Sequence, residues 1–145
     1  MTRTNQPPRL PQTGGCQCGA IRYELRAAPL GLWACHCNQC RKQSGSAFGL
    51  SMAVPLDALV FTAEAPAVWT RTADSGNVVD CLFCPHCGSR IAHRRHNHEG
   101  RITLKPGTLD DTSWFAPTRH VFTDTALAWV APLIADQAAA PETER

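Results

Sequence analysis

Seven of the eight cysteines in this 145-residue chain fall into three tight clusters, Cys16-Gln17-Cys18, Cys35-His36-Cys37-Asn38-Gln39-Cys40 and Cys84-Pro85-His86-Cys87. Sulfurs one to three residues apart can converge on a single ion if the backbone turns tightly between them. The same closeness strains a disulfide, whose Cα atoms prefer to lie ~4.4–6.8 Å apart in a set dihedral. Four thiolates around one ion make a tetrahedral zinc site. A chain of this kind is therefore expected to fold around metal.

The remaining composition bounds the answer without naming it. The length suits one domain with a real core. Fourteen basic and twelve acidic residues leave a formal charge of +2, too balanced for charge to argue for nucleic acid. No apolar run approaches the ~20 residues of a membrane span, and Met1 to Arg9 has no apolar stretch for a signal peptide. A cytoplasmic location is the default, and in a reducing compartment clustered thiols are metal or catalytic groups rather than staples.

Residues 1–13, with Pro7, Pro8 and Pro11, read as a loose leader, 14–132 as one zinc-binding domain and 133–145 as a flexible tail. The body is expected to be mainly β, an assembly of short antiparallel strands around a structural zinc. Ala20–Leu25, Phe48–Val54, Leu59–Thr62, Val68–Thr72, Val78–Phe83, Arg90–His93 and Arg101–Lys105 alternate or cluster apolar residues as strands do. Helix is limited to a single turn over Pro55–Leu59 and another starting near Arg41-Lys42-Gln43.

Cys84-Pro85-His86-Cys87-Gly88 has the form of a zinc knuckle, a turn whose amides face the sulfurs and whose glycine supplies φ > 0. Cys16 and Cys18 precede Gly19 in the same way. The middle cluster offers three sulfurs in six residues, and three protein ligands leave one tetrahedral position open, which is what separates catalytic from structural zinc. Seven clustered cysteines thus make one closed site of four and one open site of three. Spacing leaves open which two clusters share the closed site. Cys81, three residues before Cys84, is either an eighth ligand or a packed strand residue. His36 and His86 lie between ligands and are expected to point outward, and His93, His96 and His98 read as part of a solvated basic loop.

At these residues the chain resembles the glutathione-dependent formaldehyde-activating enzymes, a family that shares its domain with centromere protein V. The resemblance is carried by Gly14 to Tyr23, by Cys35 to Phe48, by Phe83-Cys84-Pro85-His86-Cys87-Gly88-Ser89, by Gly107-Thr108-Leu109-Asp110-Asp111, and by Pro117, His120-Val121-Phe122 and Trp129. It spans roughly residues 14–130. It implies a β-tent-like fold, a structural zinc on Cys16, Cys18, Cys84 and Cys87, and a more labile catalytic zinc on Cys35, Cys37 and Cys40. It also implies condensation of formaldehyde with glutathione to S-(hydroxymethyl)glutathione, or the reverse carbon–sulfur cleavage. Cys81 falls outside the family's pattern.

Glutathione carries two carboxylates. Arg41 and Lys42 either meet them or form a solvated face, with Ser44, Gly45 and Ser46 offering hydroxyls and amides. A zinc ion on three thiolates is a weaker Lewis acid than one on three histidines, so it is expected to position a thiol sulfur rather than activate water. Competing readings are a zinc-stabilised binding module without chemistry, a nucleic-acid binder, and a methionine sulfoxide reductase with Cys81 as its reactive thiol. Near-neutral charge and few clustered aromatics count against the second of these.

Overall fold

The computed structural model describes residues 5–134 of the chain. It is mainly β. Ten strands make two sheets, with one α-helix between the third and fourth strands. The small sheet orders β1 (Gln12–Gly15), β2 (Arg22–Leu25) and β5 (Leu59–Phe61), all antiparallel. The large sheet contains β3 (Gly31–Cys35), β4 (Gly49–Pro55), β6 (Ala67–Thr72), β7 (Val78–Phe83), β8 (Arg90–Arg95), β9 (Arg101–Leu104) and β10 (His120–Val121). Its spatial order is β10-β3-β4-β9-β8-β7-β6.

The expected strands are present, with ends shifted by a residue or two. Three were not expected. One of them, β10, also departs from the antiparallel expectation, since it pairs with β3 in parallel. The helix α1 covers Asn38–Ser44, so it begins three residues before the turn expected at Arg41. The Pro55–Leu59 turn is a single 3-10 turn at Leu56–Ala58. Within the expected leader, Gln12 and Thr13 open β1, and Asn5 is buried with its Oδ1 accepting the Ala116 N–H at 2.9 Å. Asn5 and Gln12–Thr13 are thus held against the body. Most of the expected tail lies outside the described residues.

Strand alternation divides the large sheet into two unlike faces. Register places Leu82, Ala92, Leu104, Met52 and Leu32 in one cross-strand row. That row packs with Tyr23, Leu25 and Leu59 of the small sheet to form the main core. Burying each such large side chain contributes about 1.5–3 kcal/mol, so this face fixes the register of the whole sheet. The opposite face carries Trp69, Cys81, His93, Thr103 and Ala53 in the neighbouring row. This second face forms the floor of the site.

Candidate metal centres and the cleft between them

Both outer cysteine pairs sit at the tips of hairpins. Cys16 and Cys18 lie between β1 and β2, and Cys84 and Cys87 between β7 and β8. The two turns are built alike. Cys16 N–H donates to Ile21 O and Gly19 N–H to Cys16 O (3.0 and 3.2 Å). Cys84 N–H donates to Ser89 O and Gly88 N–H to Cys84 O, both at 2.9 Å. Gly19 and Gly88 have φ of 85° and 81°, a conformation in which a side chain would cost roughly 1–2 kcal/mol. Amides turned inward donate to sulfur, Ile21 N–H to Cys16 Sγ at 3.2 Å and His86 N–H to Cys84 Sγ at 3.4 Å. Gln17 N–H reaches Ser89 Oγ at 3.0 Å and ties one tip to the other.

The four sulfurs all lie within 4.8 Å of one another. Cys16 Sγ is 3.6 Å from Cys18 Sγ, and Cys18 Sγ is 3.7 Å from Cys84 Sγ. Corners of a tetrahedron with ~2.3 Å zinc–sulfur bonds are ~3.8 Å apart, so the donor set fits zinc in both chemistry and spacing. Hydrogen bonds from the Ser89 hydroxyl and amide pull Cys87 down to about 5, towards the thiolate that such an ion requires.

Cys35, Cys37 and Cys40 form a second set, again within 4.8 Å of one another. Local structure explains their convergence. Cys35 closes β3, and Cys37 is the N-cap of α1, its Sγ accepting the Cys40 N–H at 3.3 Å. A cap and the third helical residue face the same side of the first turn, which aligns those two sulfurs. Hydrogen bonds from Cys35 and Cys40 hold Cys37 down to about 2, while the bond to Cys37 pushes Cys35 strongly upward. Three thiols this close resist ionising together. A divalent cation is what allows all three to ionise. The donor set fits zinc here too, and among the described residues it supplies three of the four corners of a tetrahedron.

Among the described residues the clustered sulfurs divide into these two groups of four and three that could hold an ion, and Cys81 belongs to neither. It is buried against Ala73 and Val79 on the second face of the large sheet. His36 does not point outward. It is fully buried, with Nε2 2.9 Å from Nδ1 of His120 and its ring 5.0 Å from that of Phe48. Burial, then the neighbouring His120, lowers its pKa. His36 N–H donates to Val121 O at 3.0 Å, and Thr125 Oγ1 donates to His36 O at 2.8 Å. The segment carrying the three thiols is thus clamped to β10 and the turn after it. No periodicity marked this partnership, because the residues are 84 apart. His86 does face outward, 2.7 Å from Glu64 Oε2. His93 lies in β8 rather than in a loop, while His96 pairs with Asp80 and His98 with Arg101.

The three-sulfur set opens on a cleft of about 800 Å³ between α1 and the second face of the large sheet. Trp33 and Trp69 line it, as do Cys81 and His93. Burial, with Lys105 and nearby arginines, holds His93 well below the usual histidine value, so the ring stays neutral. An adjoining cavity of about 470 Å³ runs toward the Cys87–Ser89 turn and shares Gln43, Arg90 and Lys105 with the first. Of the residues expected to meet glutathione, Lys42 lines the cleft and Ser44 the adjoining cavity, whereas Arg41, Gly45 and Ser46 line neither. Ser44 Oγ donates to main-chain oxygens of Arg41 and Phe48 at 3.2 Å.

Sequence reasoning missed Lys105. Its side chain is buried, and its Nζ has no hydrogen-bond partner. It lies just past β9, a position that in sequence reads as an exposed strand end. Burial lowers its pKa against the attraction of Cys40, Cys35 and Cys37.

A family model described as glutathione-dependent formaldehyde-activating enzyme matches residues 11–125. Among solved structures, the chain is similar to that of a Rhodobacter sphaeroides protein, a structural-genomics target. The TM-score is 0.55 and the identity 20%, over 70% of this chain and 90% of that one. At that identity the likeness concerns the fold.

Proposed function

The chain belongs to the glutathione-dependent formaldehyde-activating enzyme family, and we propose that it is a zinc-dependent carbon–sulfur lyase acting on a glutathione adduct such as S-(hydroxymethyl)glutathione. Cys16, Cys18, Cys84 and Cys87 hold a structural zinc in this reading, and Cys35, Cys37 and Cys40 a catalytic one, within a single domain over residues 14–132 working in the cytoplasm. The observation that carries it is the contrast in saturation. One cysteine set completes a tetrahedron, and the other stops at three and faces a cleft large enough for a tripeptide adduct.

Zinc bound to the trio supplies a centre that keeps a thiol ionised near neutral pH. The chain's own residues do the rest. The α1 cap and the His36–His120 contact hold the three sulfurs in place before substrate arrives. Trp33 and Trp69 provide apolar wall, which excludes water from the thiol. Lys42 meets a glutathione carboxylate from α1, and Ser44 lines the adjoining cavity, while Arg41, Gly45 and Ser46 stand back from both. His93, neutral on the floor, adds hydrogen bonding without charge.

Metal analysis of the purified protein tests this reading. Two zinc ions per chain are expected. After cobalt exchange at the labile position, added glutathione should intensify the sulfur-to-metal absorption, as a fourth thiolate joins. A spectrum indifferent to glutathione would leave the alternative of a non-catalytic, zinc-stabilised module.

A further inference from the structure

The cleft is strongly cationic for a chain whose overall charge is only +2. Among the described residues Lys42, Arg71, Arg90, Arg95, Arg101 and Lys105 line it, against Asp74 as the one carboxylate. Arg71 and Arg95 flank Val79 in register on the floor, two residues along from Cys81 and His93. Among the described residues, none of Lys42, Arg71, Arg90 and Lys105 enters an ion pair. Lys105 is the sharpest case. Its Nζ is buried without a hydrogen-bond partner, in the cleft that all three sulfurs of the open set also line. A buried cation left unpaired costs several kcal/mol. Such a group persists where an anion is to be met.

Glutathione leaves part of this charge unanswered. Its two carboxylates are offset by one ammonium, and both lie remote from the sulfur. Lys105 instead lines the same cleft as the three sulfurs, where the reacting carbon must be. Resting on the lyase reading above, we infer that the carbonyl partner of the thiol bears its own carboxylate next to the carbonyl, an α-oxo acid of the glyoxylate class rather than formaldehyde. Lys105 pairs with that carboxylate, and Lys42 with Arg71 and Arg90 takes those of the tripeptide. The step balances without a redox partner. The thiol sulfur bonds to the aldehyde carbon, the C=O π bond breaks, and the thiol proton ends on the new hydroxyl oxygen. The reverse step returns thiol and oxo acid.

Two stable thioethers separate this proposal from the reading it rests on. S-carboxymethylglutathione carries the third carboxylate beside sulfur, and S-methylglutathione does not. In calorimetric titration of the zinc-loaded full chain, the carboxymethyl compound should bind about tenfold tighter or more, with a preference that shrinks as salt rises. Lys105→Gln should abolish the preference while leaving S-methylglutathione affinity within about twofold. Equal affinities for the two compounds in the wild-type chain would overturn the inference and leave the lyase reading standing. Binding of neither would overturn both. A Lys105→Gln chain that keeps the preference would mean the ammonium serves only the sulfurs, and would overturn its assignment. Should that variant not fold, the wild-type ratio and its salt dependence still decide. Exchange spectroscopy on the wild-type chain gives a second readout, with faster adduct turnover expected for glyoxylate than for formaldehyde.

Discussion

The two cysteine sets use the same donor atom at similar mutual distances, yet they sit in the fold in opposite ways. The four-sulfur set draws on two hairpin tips 66 residues apart and lies where the small sheet meets the large one. The three-sulfur set comes from six consecutive residues and stands at the edge of a cleft. Loss of an ion from the first would untie the two hairpin tips and leave the sheets joined by their shared core. Removing one from the second frees a short segment that His36, His120 and Thr125 still clamp. Ligand number decides whether a substrate can join, and ligand origin decides what the fold loses when the ion leaves.

That contrast can be broken most sharply by substitution. Cys84→Ser is expected to abolish the cooperative melting transition, since structural zinc contributes ~10–16 kcal/mol in small metal domains, comparable to the whole stability of a domain. Cys37→Ser should melt within about 5 °C of wild type while losing one zinc and all lyase activity. Circular dichroism with metal analysis reads both, and equal melting losses would erase the distinction. A milder version is chelation. One zinc should leave quickly with no change in far-ultraviolet signal, and the second only as the signal collapses. A single shared phase would contradict the split.

Smaller effects sharpen it. His120→Ala removes the partner of a buried imidazole and should cost about 1–3 kcal/mol. It should also weaken the open site's metal affinity about tenfold or more without touching the closed site, as competition with a coloured chelator would show. The smallest effect lies beside the closed site. Asp110 accepts from Arg22 and from Thr13 of β1, the strand that delivers Cys16. The Arg22 hydrogen bond, then that from Thr13, holds the carboxyl below its usual value. A group lowered by folding stabilises fully above its unfolded value and loses that contribution as pH falls through the folded one. Both partners are well exposed, so Arg22→Gln should flatten the acid side of the stability profile only slightly. A change in the neutral region instead would point to another cause.

Much of the closed site was legible because its information is local. Cysteines at knuckle spacing before glycine announce a turn wherever they occur, and strands such as β7 announce themselves through their apolar content. The missed elements lacked such signals. β1 reads Gln-Thr-Gly-Gly, with no strand former but threonine. β3 is apolar without alternation because nearly all of it is buried, and β10 is two residues long. The cleft was hidden for a related reason. Its floor is assembled by register across β6, β7, β8 and β9, which brings Trp69, Cys81, His93 and Thr103 into one row. No single stretch of sequence carries that row. His36 was misjudged because its partner arrives on β10, and Lys105 because a lysine past a strand end normally reaches water.

The separation of the hairpin tips also bears on biosynthesis. A ribosome releases Cys35 to Cys40 early, and that stretch can collect an ion from a short length of nascent polypeptide. The other quartet waits until Cys87 has emerged, and closing so long a span costs chain entropy that grows with the logarithm of its length. Metal scarcity during translation would then fall hardest on the quartet, leaving chains with an ion on the trio that cannot finish folding.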